Sequence, residues 1–66
     1  MKNTIRIERA IKSLTQEELA KKVGVSRQTI NAIEVNKYVP STLISLKIAR
    51  VLQKKVEELF LLEAFD

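Results

Sequence analysis

Apolar positions recur at helical spacing along most of the chain. Ile7, Ala10, Ile11 and Leu14 stand at i, i+3, i+4 and i+7, which predicts a helix over about Asn3 to Lys12 with one buried face. A second helix begins at Thr15-Gln-Glu-Glu18, a capping box in which the Thr15 hydroxyl accepts from the Glu18 amide and the Glu18 carboxylate reaches back. Leu14 and Leu19 hold the staple positions across that cap, Leu19, Ala20 and Val23 continue an apolar face, and Gly24 stops the helix. Ser26 is the N-cap of a third helix, Val25 and Ile30 repeat the staple, Ile30 and Ile33 face the core, and Asn36 marks the end. Pro40 biases Val39 towards an extended conformation, so Tyr38-Val-Pro40 reads as a loop. Ser41 caps a fourth helix that buries Ile44, Ile48, Ala49 and Leu52, and a short fifth runs from Val56 to Leu61 with Leu59 and Phe60 as its apolar residues. The tail from Leu61 to Phe65 suits either helix or a short strand. The pattern predicts an all-α fold of five helices, with a short C-terminal strand as the open alternative.

Composition narrows the possibilities. Sixty-six residues suit a single domain, 1–66, and so small a core barely offsets the ordering entropy of the chain. There is no Cys and no His, which excludes disulfides, thiolate and imidazole metal sites, and thiol or imidazole catalysis, leaving dimerisation as the remaining support. With 45% apolar and 30% charged residues the chain reads as soluble and globular; it has no 18-residue apolar run and no signal-peptide core, so a cytoplasmic location is expected. Neither adjacent carboxylate pair, Glu17-Glu18 or Glu57-Glu58, would share a site, because neighbours on a helix point about 100° apart. There is no Gly-rich phosphate loop either, so no enzyme, cofactor or small-molecule ligand is expected.

Charge is unevenly placed. All twelve basic residues lie in positions 1–55 with four acids, a net +8, while Val56 to Asp66 hold the other four acids, Glu57, Glu58, Glu63 and Asp66. A basic body with an acidic end suits a polyanion partner, and equally a solvated, soluble surface.

The densest pattern is Gln16 to Glu34, QEELAKKVGVSRQTINAIE. Two helices joined by so tight a turn cross steeply and need a small residue at closest approach, supplied by Ala20, and a permissive turn residue, Gly24. Leu19, Val23, Val25, Ile30 and Ile33 are the apolar positions such a unit must bury. Seven requirements are met within nineteen residues, which separates the segment from an ordinary helical hairpin.

These residues resemble the lambda-repressor and Cro class of helix-turn-helix domains, the XRE family. LTQEELAKKVGVSRQTINAIE matches its pattern, and the match continues through NKYVPS, LKIARVL and VEELF, from about Ile5 to Phe60. The resemblance implies a five-helix lambda-repressor-like domain that binds double-stranded DNA, with the motif at about 16–34, in a minimal, stand-alone member. It implies that the second helix crosses the DNA backbone and the third lies in the major groove. Gln16 then matches a residue that bonds a phosphate and braces the recognition helix, and Ser26 one near the phosphates. Arg27, Gln28 and Asn31 occupy the reading face: Arg suits guanine O6/N7, and Gln or Asn suit adenine N6/N7. Arg27, where many relatives carry Gln, reads a guanine or clamps a phosphate, and the small Ala32 permits close approach at the edge of the face. Thr29 touches a phosphate or a thymine methyl, or packs inward. Lys37 and Tyr38 suit backbone contacts, whereas Lys21, Lys22, Lys54 and Lys55 read as solvated surface.

Arg9 and Glu34 match a family ion pair joining helix one to the recognition helix. Three departures blur the ends of helices one, four and five. Glu8 stands at a commonly apolar position, where Ile7 or Ile11 would take over its packing; Gln53 replaces Gly or Asn, and Lys55 replaces Pro. A homodimer is expected, formed by the segment 56–66 through Leu59, Phe60, Leu61, Leu62 and Phe65, with the two tails pairing as short antiparallel strands. The function expected is a homodimeric transcriptional repressor. The rival is an antitoxin-like module that binds a protein partner, disfavoured because the chain ends six residues after Phe60.

Overall fold

In the computed structural model, which describes residues 1–66, the order of elements is β1 (Lys2–Asn3), α1 (Ile5–Ile11), α2 (Gln16–Val23), α3 (Arg27–Glu34), α4 (Thr42–Leu52), α5 (Val56–Leu59) and β2 (Phe60–Leu61). The architecture is the five-helix one, with one small two-stranded addition. The caps of α2, α3 and α4 are those the sequence predicts. Glu18 N–H donates to the Thr15 hydroxyl at 3.0 Å and Thr15 N–H to the Glu18 carboxylate at 2.9 Å. Thr29 N–H donates to the Ser26 hydroxyl at 3.1 Å, and Ile44 N–H to the Ser41 hydroxyl at 3.2 Å. At α5 the first turn is closed by Lys55 N–H donating to the Glu58 carboxylate at 2.8 Å.

Each of the first four helices ends in the same way. A residue with positive φ follows, namely Ser13, Gly24, Asn36 and Gln53, and the next N–H reaches five residues back to a helical carbonyl. These bonds run from Leu14 to Arg9, Val25 to Ala20, Lys37 to Ala32 and Lys54 to Ala49. The left-handed residue turns the chain so that otherwise unpaired carbonyls of the last turn are used.

The core consists of Ile5, Leu19, Ala20, Val23, Ile30, Ile33, Ile48, Ala49, Leu52 and Leu59, with Leu14, Val25, Ile44, Val51, Val56 and Phe60 packed around it. At roughly 1.5–3 kcal/mol for each fully buried large aliphatic side chain, this is where the favourable free energy lies.

Three expectations are corrected. First, α1 does not bury Ile7 and Ile11, which are 61% and 69% exposed, and Ala10 is exposed too. Its inner side is Ile5, fully buried, with Glu8 and Arg9 half-buried beside it, so Glu8 keeps its own position and lies 3.9 Å from Lys54. The helix also begins at Ile5 because Asn3 belongs to β1 and its side-chain oxygen accepts from Ile5 N–H at 3.2 Å. Second, helix five ends at Leu59, not Leu61, and although the expected short strand forms at Phe60–Leu61, its partner is the chain's own N-terminal segment and not a second tail: Lys2 faces Leu61 and Asn3 faces Phe60, antiparallel. Thr4 continues the seam, its N–H donating to the Leu59 carbonyl at 2.9 Å and its hydroxyl to the Glu58 carbonyl at 3.0 Å. One edge of β2 is therefore occupied before any second tail arrives. Third, Leu59, expected on a dimer surface, is fully buried in the chain's own core.

Candidate nucleic-acid interface

The α2–turn–α3 unit is shaped by local features. Gly24, with φ of 87°, makes the turn, Val25 packs against the core, and Ser26 opens α3. With Ile30 and Ile33 buried beneath it, α3 turns Arg27, Gln28 and Asn31 to solvent. Thr29 is half-buried, and its hydroxyl lies 2.9 Å from that of Ser26, so the two polar side chains at the start of the helix hold each other.

The other end of α3 is fixed by distant residues. The Asn3 amide donates to the Ile33 carbonyl at 3.0 Å and to the Asn36 side-chain oxygen at 3.1 Å, tying β1 to the last turn. Arg9 forms a two-point pair with Glu34, Nε donating to Oε2 at 2.8 Å and Nη2 to Oε1 at 3.2 Å. Arg9 Nη1 donates to the Leu14 carbonyl at 2.8 Å. Glu34 is only 4% exposed at its side chain and Arg9 15%, so the pair is largely withdrawn from water. Such a pair fixes geometry more than it adds stability, since desolvation cancels much of the attraction.

Gln16 extends this network. Its amide donates to Glu34 Oε1 at 3.1 Å and to Asn31 Oδ1 at 3.1 Å. Both amide hydrogens are thereby engaged, leaving only its carbonyl oxygen free, an acceptor that a phosphate cannot bond. In this arrangement the Gln16 side chain braces α3, and any donation to an anion falls to the backbone N–H groups of the first turn of α2. At that turn, bonds from the Thr15 N–H and then with the Thr15 hydroxyl hold the Glu18 carboxyl below its ordinary pKa, so it remains ionised as part of the cap.

Gln16, Arg27 and Asn31 meet in an open cleft also lined by Arg6, Arg9, Thr15 and Glu17, with no apolar side chain in its wall. Arg6 is the one cleft cation that the sequence pattern does not single out. Its signal is present, an exposed cation three residues before Arg9, but nothing in the pattern of α1 ties it to the motif. Gln28, Ser26 and Thr29 lie outside this cleft. Lys37 and Tyr38 are exposed after α3, and Tyr38 lines a separate small hollow with Asn3, Asn36 and Phe60.

At the other end of the chain Leu62 and Phe65 are 81% and 80% exposed, Leu61 is exposed and Phe60 half-buried. The tail is folded back on the N-terminus, whose ammonium lies 3.1 Å from Glu63 and 3.0 Å from Asp66.

The chain matches the helix-turn-helix family HTH_3 over residues 5–59. It is 54% identical over 63 residues to an uncharacterized HTH-type transcriptional regulator of Methanocaldococcus jannaschii, covering 96% of each chain. It is 51% identical to one of Archaeoglobus fulgidus, covering 96% of this chain and 90% of the relative. With one of Bacillus subtilis the identity is 48%, again covering 96% of each. A helix pair joined by a tight turn at Gly24, its second helix turning polar residues outward, in a chain matched to these regulators along almost its whole length, places the protein in the XRE-type helix-turn-helix family of DNA-binding transcriptional regulators.

Proposed function

We propose that this regulator is a homodimeric repressor, acting in the cytoplasm on a pseudo-palindromic operator. Residues 1–66 serve as one DNA-binding unit, with 16–34 as the reading motif and 56–66 as the dimerisation segment. The observation that carries this reading is the outer face of α3, where Arg27, Gln28 and Asn31 stand exposed on a helix braced from α1 and α2. All three can bond base edges in the major groove. Ser26, Thr29, Lys37, Tyr38 and the first-turn amides of α2 flank that face and suit the sugar–phosphate backbone, as does Arg6 across the cleft. The exposed Leu61, Leu62 and Phe65, with the rim of Phe60, support a two-fold contact that leaves the basic body free. Repression follows from occupancy of the operator.

Selection of bound duplexes from a random pool tests this reading. The expected product is two inverted half-sites centred about one helical turn apart, roughly 34 Å. Affinity should fall with salt by ~0.9 in log K per phosphate contacted for each decade. Loss of all sequence enrichment, or affinity indifferent to salt, would overturn it.

A further inference from the structure

We infer that Asn31 reads DNA as a hydrogen-bond donor, favouring guanine over adenine, because a relay from Arg9 through Glu34 and Gln16 fixes which way its amide faces. The inference rests on α3 being the reading helix. An asparagine amide can normally turn over and present either oxygen or nitrogen, and both together match adenine. Here the choice is removed step by step. Arg9 has donors only, and its fork holds both oxygens of Glu34 at 2.8 and 3.2 Å. A carboxylate accepts only, so the Gln16 amide must face Glu34 Oε1 with its nitrogen, 3.1 Å away. The second hydrogen of that nitrogen points at Asn31, also at 3.1 Å, and only an oxygen can receive it. Turning over either amide would set like groups against each other.

Asn31 Oδ1 is therefore engaged on the protein side, and Nδ2 with its two hydrogens is left for the groove. Guanine presents two adjacent acceptors there, N7 and O6. Adenine presents one acceptor beside an amino group, and cytosine an amino group alone. With its oxygen held towards Gln16, a side chain that presents Nδ2 outward matches guanine best and is opposed by cytosine. Gln16 thus acts as a positioning residue for specificity, not only for affinity.

The test compares the sequences selected by the full-length protein and its variants. The position lost in Asn31→Ala identifies the base pair that Asn31 reads, and there the wild type should favour guanine over adenine by about tenfold. Gln16→Ala, which places a good helix former in the first turn of α2, should cut that ratio to below about twofold while the preferences lost in Arg27→Ala and Gln28→Ala remain. Gln16→Glu offers acceptors to both neighbours. It should turn Asn31 over and move the preference towards adenine or cytosine, or abolish it if the introduced carboxylate swings away from Glu34. An adenine preference in the wild type, or a Gln16→Ala variant weakened alike on all sequences with its guanine preference intact, would overturn the relay. If Asn31→Ala, Arg27→Ala and Gln28→Ala all leave every base preference unchanged, the reading role of α3 fails instead, and the relay with it.

Discussion

Between Thr15 and Asn36 most helix boundaries are made by residues within a turn or two of each other, whereas α1, the two strands and the tail are assembled from opposite ends of the chain. The Thr15–Glu18 box, the Ser26 cap and the left-handed turn at Gly24 each close over three to five residues. By contrast Asn3 bonds Ile33, Thr4 bonds Leu59 and Arg9 bonds Glu34. A locally capped unit can hold its shape early and cheaply, while contacts distant in sequence require loops to close first. The helix-turn-helix motif belongs to the first kind, and the frame that holds it belongs to the second.

The sharpest way to separate the two is in the tail, where neighbouring apolar residues have opposite surroundings. Leu59→Ala should destabilise the protomer by ~2–5 kcal/mol, as for other buried leucines, and lower its melting temperature whatever its oligomeric state. Leu62→Ser combined with Phe65→Ser should leave the protomer's secondary structure intact and shift sedimentation at micromolar concentration towards monomer. If the double variant stays dimeric, the interface lies elsewhere, and the exposed Val39, Leu43 and Leu46 become the surface to test next.

Next in size is the link between frame and motif. Glu34→Gln leaves Arg9 with a neutral partner at a mostly buried site and should cost ~1–3 kcal/mol in chemical denaturation. Unchanged stability would mean that α3 is aimed by the packing of Ile30 and Ile33 and the bonds from Asn3, without help from the ion pair.

The division also explains what the sequence makes legible. Caps and staples are short-range, so α2, α3 and the start of α4 can be read from residue order. The inner face of α1 cannot, because seven residues offer two rival stripes: Ile7, Ala10 and Ile11, or Ile5, Glu8 and Arg9. Hydrophobicity favours the first. The fold takes the second, because Thr4 is pinned to Leu59 and Arg9 reaches Glu34, both far along the chain. The types of the candidate site residues are equally legible, but the direction of a hydrogen bond is not. That Gln16 gives both amide hydrogens to Glu34 and Asn31 follows only from their placement.

A smaller effect is expected at the local cap. Thr15→Ala should cost about 1 kcal/mol, the usual worth of such a hydroxyl. The cap should also respond to acid. Because folding lowers the Glu18 pKa, its support is present above the ordinary carboxylate range and is lost as pH falls through the lowered value. The difference in melting temperature between the wild type and Glu18→Ala should therefore narrow in acid. A constant difference would mean that ionisation of Glu18 adds nothing and leave the cap to the hydroxyl.

The smallest change should be a gain. Of the four left-handed residues that end helices, only Gly24 is a glycine, and Gln53 and Ser13 take the same conformation with a side chain attached. A β-carbon in that region is unfavourable by roughly 1–2 kcal/mol, whereas glycine enters it freely but gives the unfolded chain more entropy to lose. At Gln53 the side chain returns little, a single exposed bond in which Lys12 donates to its oxygen at 3.1 Å. Gln53→Gly should therefore stabilise by about 0.5 kcal/mol, seen as a small rise in melting temperature. Asn36→Gly should not, since asparagine tolerates this conformation and its side-chain oxygen accepts from Asn3, the contact that ties β1 to the end of α3. Equal gains at both positions would mean that the bond from Asn3 to Asn36 adds nothing, and that the frame holds α3 through Asn3 on the Ile33 carbonyl and Arg9 on Glu34.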